Sequence, residues 1–362
     1  MLFRSVLITG AGGSIGSELS RQVMARGPSL LLLLGHGETS IHAIHNELLE
    51  RYPDAADAIV PVIADIQDRA RLEQVFAAYR PDIVFHGAAH KHVPLMEDCP
   101  CEAVKNNVCG TVNLMQVADR CGAGKFILVS TDKAVRPRSV LGATKRIAEL
   151  MVQSRANGNG TDFVAVRLGN VLGSRGSVVP TFKRQIERGG PVCVTHPEMT
   201  RYFMTVPESV LLVLQASAYG ENGDLFVLDM GKPVRIVDLA EDLIRLSGRE
   251  PHAEIPIVFT GVRPGEKLHE ELIGENEETL PTRDRQLLRL RGNHLDTGAL
   301  ETAIRDLATL AVQGDARAIV DKLQEVVPEY QPPAARAPSA ALPMARAQVS
   351  RIPALRHPHD AH

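Results

Sequence analysis

Six short, nearly uninterrupted apolar runs set the rhythm of the N-terminal half: SVLIT (residues 5–9), LLLLL (30–34), AIVPVIA (58–64), DIVFHGA (82–88), KFILVS (125–130) and DFVAVRL (162–168). Runs that stay apolar instead of alternating predict strands buried on both faces. Stretches of helical spacing lie between them, as from Ser14 to Arg26 and from Arg71 to Tyr79. Alternating strand and helix predicts an α/β fold, a doubly wound parallel sheet with right-handed crossovers and helices on both sides. Residues 5 to 34 read as its first strand–helix–strand unit.

After Leu168 the pattern loosens. Residues 169–200 are rich in Gly, Pro and β-branched residues, then an apolar helix (about Pro207 to Ala218) and a strand, DLFVL, return. Ile236, Leu239, Ala240, Leu243 and Ile244 form a helical stripe within Arg235 to Ser247. The expected organisation is a dinucleotide-binding Rossmann domain of residues 1–168 and 201–230, with a smaller, discontinuous substrate domain of 169–200 and 231–330. Residues 331–362 carry Pro and Ala without periodicity and are expected to stay disordered.

Composition narrows the class. The 362 residues are 44% hydrophobic and 23% charged, and the formal net charge of -3 gives no basic footprint for nucleic acid. Nothing approaches the ~18 apolar residues of a membrane span, and the N-terminus enters a strand without a signal-peptide pattern, so a cytoplasmic location is expected. Five cysteines make a disulfide framework improbable. His86, His90 and His92 follow the strand DIVFH and so do not form the i, i+4 helical pair of a zinc protease, and no metal site is expected.

Two stretches carry chemistry. TGAGGSIG puts Gly10, Gly13 and Gly16 between the first strand and helix, where backbone N–H groups of Ser14, Ile15 and Gly16 can meet a pyrophosphate. Its G-x-x-G-x-x-G spacing departs from the broader G-x-G-x-x-G fingerprint. The second strand ends in Gly35-His36-Gly37-Glu38, leaving NAD and NADP equally open. Asp65 and Ile66 after the third strand, and Ala88 and Ala89 after the fourth, are candidates for the cofactor's adenine edge and path. The other stretch, STDKAVRPRSVLGATK (130–145), follows the fifth strand. On an extended backbone Thr131 and Lys133 share one face; a turn would make Thr131, Asp132 and Lys133 converge. Adjacent Asp and Lys suit acid–base work when their surroundings tune them.

With TGAGGSIG, FHGAAHKHVPLME, STDKAV, GATK, RLGNVLGSRGSVVPTF, HPEMTRYFMT and RPGEKLHEEL in this order, residues 2–290 resemble the extended short-chain dehydrogenase/reductase superfamily. Within it they are most similar to polysaccharide-biosynthesis nucleotide-sugar 4,6-dehydratases acting on UDP-N-acetylglucosamine. The resemblance implies a tightly held NAD or NADP that takes hydride from carbon 4, loss of water across carbons 5 and 6, and hydride return to carbon 6. Lys133 would be the base at carbon 5, Asp132 the acid on the carbon 6 hydroxyl, Thr131 the holder of the 4-hydroxyl, and Lys145 a partner of the nicotinamide ribose. Lys91, His92, Asn170, Arg175, Ser177, Val178, Arg201, Arg263 and Glu266 would bind the UDP-N-acetylhexosamine. A homo-oligomer is also implied.

Two departures stand out. The superfamily's Tyr-x-x-x-Lys becomes Leu141-x-x-x-Lys145, which removes the phenol that exchanges the sugar hydroxyl proton. The membrane-linked branch of the dehydratases also lacks this tyrosine but usually carries N-terminal membrane helices, for which this sequence shows no pattern. The alternatives are an epimerase on the same fold, which needs the ketone but no elimination, and a catalytically silent nucleotide-sugar or redox-cofactor sensor.

Overall fold

The computed structural model describes residues 4–156, 160–291 and 296–333. The apolar runs become β1 (Ser5–Thr9), β2 (Leu30–Gly35), β3 (Ile59–Ile63), β4 (Ile83–His86), β5 (Lys125–Thr131) and β6 (Asp162–Leu168). They line up in the order β3-β2-β1-β4-β5-β6, all parallel, making a doubly wound Rossmann sheet. Strand Asp224–Leu228 adds in parallel beside β6. The order reverses between β1 and β4, and that crevice at the carboxyl ends of the strands is where such sheets take ligands.

Alternate residues of each strand feed two different cores, which is why the runs do not alternate apolar with polar. Leu7, Leu32, Leu34, Phe126 and Leu128 pack on one face with the helices Arg69–Tyr79, Thr111–Arg120 and Val140–Gln153. Val6, Ile8, Leu31, Leu33 and Ile127 pack on the other with Ser14–Met24, Glu38–Arg51 and Val206–Tyr219. Caps fix several helix starts: Asp68 accepts from Arg71 N at 3.0 Å and Ser139 Oγ from Gly142 N at 3.1 Å.

A third, smaller core joins Phe182, Ile186, Val192, Val194 and Met199 to Ile236, Ala240, Ile244 and Ile255. The expected substrate domain reached residue 330, and its last part needs correction. Strand Leu287–Arg291 extends the large sheet antiparallel to Asp224–Leu228, strand Glu278–Pro281 pairs antiparallel with it at the edge, and Leu300, Leu307, Ile319 and Leu323 join the first core. The amphipathic helices Thr297–Gln313 and Ala316–Val326 cover apolar surface that the sheet's own helices leave open. The tail expected to be disordered lies, from residue 334, outside the described residues. Among the described residues no helix is long and apolar enough to cross a membrane.

Candidate active site

The turn after β1 is shaped as an anion cradle. Gly10 has φ +66°, and a Cβ on it would lie 2.9 Å from Ala88 N, so only glycine lets β1 and β4 close at the crevice. Helix Ser14–Met24 follows with Gly13 as N-cap, no side-chain cap and no acidic residue in its first turn. Its opening N–H groups, those of Ser14, Ile15 and Gly16, therefore face the crevice without an intrahelical acceptor and suit a diphosphate. Ala88 and Ala89 follow β4; Asp65 follows β3 and caps its own turn by accepting from Gln67 N at 2.9 Å. Ile66 is buried against Gly110, and Glu38 is exposed in the first turn of its helix.

The chain turns at the end of β5, which decides between the two geometries the sequence left open. Residues Asp132–Ala134 form one 3-10 turn, capped by Thr131, whose Oγ1 accepts from Lys133 N at 3.4 Å. Asp132 is fully buried. Its Oδ1 accepts from Thr131 Oγ1 and from Lys133 Nζ, each at 2.9 Å, while its Oδ2 has no partner. Lys133 Nζ also lies 3.5 Å from Asn170 Oδ1 and 3.5 Å from Glu270 Oε1. Burial disfavours its positive charge, but the Asp132 and Glu270 carboxylates outweigh both burial and the opposing Arg201, and its pKa rises. Gly142 makes the packing of helix Val140–Gln153 on this turn possible, because a Cβ there would overlap Lys133 O and sit 2.9 Å from Pro137 Cβ.

Behind the turn, Lys145 Nζ donates to Val129 O at 2.8 Å, and burial lowers its pKa from 10.5 to about 8 against the pull of Glu149. Leu141, one helical turn earlier, is buried in the first core. His86 is a structural residue. Its ring bridges Thr9 Oγ1 at 2.8 Å and Thr111 Oγ1 at 2.9 Å, and burial with the nearby Lys145 charge lowers its pKa to about 3. A π-helical segment, Val104–Gly110, turns Asn107 toward the loop after β4, where its amide bonds His90 N at 2.9 Å and His90 O at 3.1 Å. That anchors the loop carrying Lys91 and His92.

The remaining expected residues arrive from four segments. Lys91 Nζ donates to Arg175 O at 2.8 Å, and burial together with the Arg175 and Lys133 charges lowers its pKa. His92 sits against Gly176. Arg175 lies on the Gly-rich turn: its guanidinium donates to Gly12 O and its N–H to Ser14 Oγ at 3.0 Å. Those bonds seat it beside the Gly-rich turn. Ser177 begins helix Val178–Glu187, and Val178 packs on the small core. Arg201 uses its fork on Lys267 O at 2.9 Å and Leu268 O at 3.2 Å, which pins the RPGEK loop, and Arg263 is exposed and paired with Glu266 at 2.6 Å.

Burial without partners marks the cleft. Seven buried side-chain polar atoms lack a hydrogen bond among the described residues, and five belong to Asp132, Asn170, Ser177, Glu266 and Glu270. Orphaned buried polar atoms are costly, so their concentration here points to a polar ligand that satisfies them. Sequence reasoning missed Glu270, although RPGEKLHEEL contained it, because a loop has no periodicity to say which of its acids turns inward. It also missed Lys267, whose Nζ donates to Val135 O at 2.6 Å, and the buried set of Glu149, Arg167 and Glu277 beneath the turn.

A family model described as "Polysaccharide biosynthesis protein" matches residues 6–291. The chain is 59% identical over 275 residues to the capsular polysaccharide biosynthesis protein CapD of Staphylococcus aureus, covering 76% of this chain and 46% of that protein. It therefore spans about half the length of that relative. It is 33% identical over 286 residues to the UDP-N-acetylglucosamine 4,6-dehydratase (inverting) of Campylobacter jejuni, covering 76% of this chain and 79% of that protein. Among solved structures, Pen from Bacillus thuringiensis superposes with a TM-score of 0.73 at 29% identity, over 84% of this chain and 99% of that one.

Proposed function

The chain belongs to the polysaccharide biosynthesis protein family, and from that premise we propose that it is a 4,6-dehydratase of a UDP-N-acetylhexosamine, UDP-N-acetylglucosamine in the first instance, working with a bound nicotinamide dinucleotide. The observation that carries the reading is the buried Asp132–Lys133 pair at the end of β5, in contact at 2.9 Å and with Asp132 Oδ2 unpartnered. The uncapped helix start and the side-chain-free approach at Gly10 suit the cofactor's diphosphate. Bound there, the nicotinamide supplies the acceptor for the carbon 4 hydride and its return to carbon 6.

This chain's residues handle the protons. With water excluded by the sugar, a charged pair is penalised more than a neutral one. Moving the shared proton from Lys133 Nζ to Asp132 then creates an acid and a base in one step. The free amine takes the carbon 5 proton, which the neighbouring ketone acidifies, and Asp132 protonates the departing carbon 6 hydroxyl. Thr131 Oγ1 holds the 4-hydroxyl, and Arg201, Arg263, Asn170 and Ser177 would hold the nucleotide half of the substrate.

Incubation with UDP-N-acetylglucosamine in deuterated water is expected to give a 4-keto-6-deoxy sugar carrying deuterium at carbon 5. An unchanged sugar under saturating cofactor counts against the reading, and a carbon 4 or carbon 5 epimer that keeps its 6-hydroxyl favours an epimerase. Lys133→Ala should lose the elimination while UDP-sugar binding, measured by calorimetry, changes far less; wild-type turnover would remove Lys133 from the base role.

A further inference from the structure

On the dehydratase reading, the site's protons do not balance with Thr131, Asp132 and Lys133 alone. Forming the ketone removes a hydride from carbon 4 and a proton from its oxygen, O4. Over a full turnover that O4 proton departs in the water released from carbon 6. A group must accept it, and Asp132 must regain the proton it gave away. The position of the superfamily's phenol is filled by Leu141, which is buried, apolar and unable to titrate.

Glu270 has the properties of the missing acceptor. It is 6% exposed, its Oε1 lies 3.5 Å from Lys133 Nζ, and its Oε2 is buried with no partner. Its loop is fixed from both sides, by Arg201 on Lys267 O and Leu268 O and by Lys267 on Val135 O. O4 and the carbon 5 proton are borne by adjacent sugar carbons, so a carboxylate 3.5 Å from the carbon 5 base stands within reach of O4. We propose that Glu270 accepts the O4 proton in place of the absent phenol, and that Lys133 relays it to Asp132 at the end of each turnover.

The cycle closes in atoms and charge. With the sugar bound and the shared proton moved from Lys133 Nζ to Asp132, it starts with Glu270 as the carboxylate acceptor. The O4–H bond breaks towards Glu270 as the carbon 4 hydride leaves to the nicotinamide, forming the ketone. Lys133 takes the carbon 5 proton, the electron pair of that bond forms the carbon 5–carbon 6 double bond, and the hydroxyl leaves with Asp132's proton as water. The hydride returns to carbon 6 and Lys133 returns a proton to carbon 5. One proton remains, on Glu270, and it passes through Lys133 Nζ, 3.5 Å from one carboxylate and 2.9 Å from the other, back to Asp132.

Two reactions separate this role from a structural one. Dehydration of UDP-N-acetylglucosamine needs the O4 step. Exchange of the carbon 5 hydrogen of the finished 4-keto-6-deoxy product into deuterated water needs Lys133 but starts from the ketone. In Glu270→Gln, dehydration should fall ~10² to 10⁴-fold while exchange falls less than about tenfold; Lys133→Ala should lose both. Should Glu270→Gln fail to fold, Glu270→Ala, which also lacks the carboxylate, supplies the same comparison. Dehydration at the wild-type rate, or an equal fall in both reactions, overturns the proposal. A wild-type protein that dehydrates nothing overturns the functional reading instead.

Discussion

Replacing Arg167 with methionine tests the buried charges beneath the catalytic turn. Arg167 is fully buried on β6 and spends all five N–H groups on protein acceptors. Nε and Nη2 grip Glu149 at 3.0 and 2.7 Å, Nη1 and Nη2 grip Glu277 at 2.7 and 2.9 Å, and Nη1 also reaches Leu272 O at 2.8 Å. Glu149 also accepts from Ser130 Oγ at 2.7 Å, one residue before Thr131. Burial alone would raise the Glu277 pKa, yet Arg167 and Arg146 bring it from 4.5 to about 2. At 1.36 kcal/mol per pH unit that is about 3 kcal/mol, in line with the ~3–5 kcal/mol lost when one partner of a buried pair is removed. The folded pKa is depressed, so the contribution is complete above about pH 4.5 and disappears as pH falls through 2. Urea unfolding should therefore show Arg167→Met weaker by ~3–5 kcal/mol at pH 7, with the gap to wild type narrowing by pH 3. Adding Glu149→Gln and Glu277→Gln should recover much of the loss, because no carboxylate is then left unpaired. A difference below about 1 kcal/mol, or one equally large at pH 3, would refute the reasoning.

Three further outcomes follow from the same geometry. Gly142→Ala puts a Cβ into Lys133 O, so the catalytic turn must shift by a few tenths of an ångström to an ångström; kcat should drop on the order of 10²-fold, while overpacking costs only ~1–3 kcal/mol by denaturant melts. His86 is neutral in the fold, with a pKa of about 3, whereas the unfolded chain binds a proton below about 6.5. Stability should fall by up to ~1.4 kcal/mol per pH unit in that window, and His86→Gln should flatten the urea midpoint between pH 7 and 5. Leu141→Tyr returns a phenol one helical turn before Lys145, so in a Glu270→Gln background it should restore part of the dehydration rate; no gain in a folded double variant would place the O4 proton on another route.

The large sheet was legible because burial on both faces leaves a plain trace. LLLLLG and DFVAVRL admit no alternation, and helix stripes between them force parallel crossovers. The sheet's far edge was not legible. ETLP and LLRLR carry charge and proline at positions that face solvent, and LLRLR pairs antiparallel with Asp224–Leu228 across nearly sixty residues of intervening chain, with ETLP beyond it at the edge. Local pattern reports which face is wet, and an edge strand wet on one face resembles a loop. Arg167 was hidden for the opposite reason. A charge inside an apolar strand reads as a strand end until Glu149 and Glu277, from a helix and a distant loop, are seen to enclose it.

The site divides along the same line. Thr131, Asp132 and Lys133 were readable because three reactive side chains are consecutive and a single turn decides their convergence. Glu270 lies more than a hundred residues away, and only the fold brings its carboxylate to 3.5 Å from Lys133 Nζ. The Leu141 substitution gains meaning from that neighbour. A phenol lost with nothing in exchange would leave an amine bracketed by two carboxylates with no route for the ketone-forming proton. That bracket instead supplies a second acid–base group whose free oxygen is buried and unspoken for. The chemistry asks only that an acceptor lie within hydrogen-bond reach of O4, wherever in the chain it comes from. An apolar residue at position 141 is therefore compatible with turnover provided the RPGEK loop stays docked, which makes Arg201 and Lys267, through their bonds to Leu268 O and Val135 O, part of what keeps the site competent.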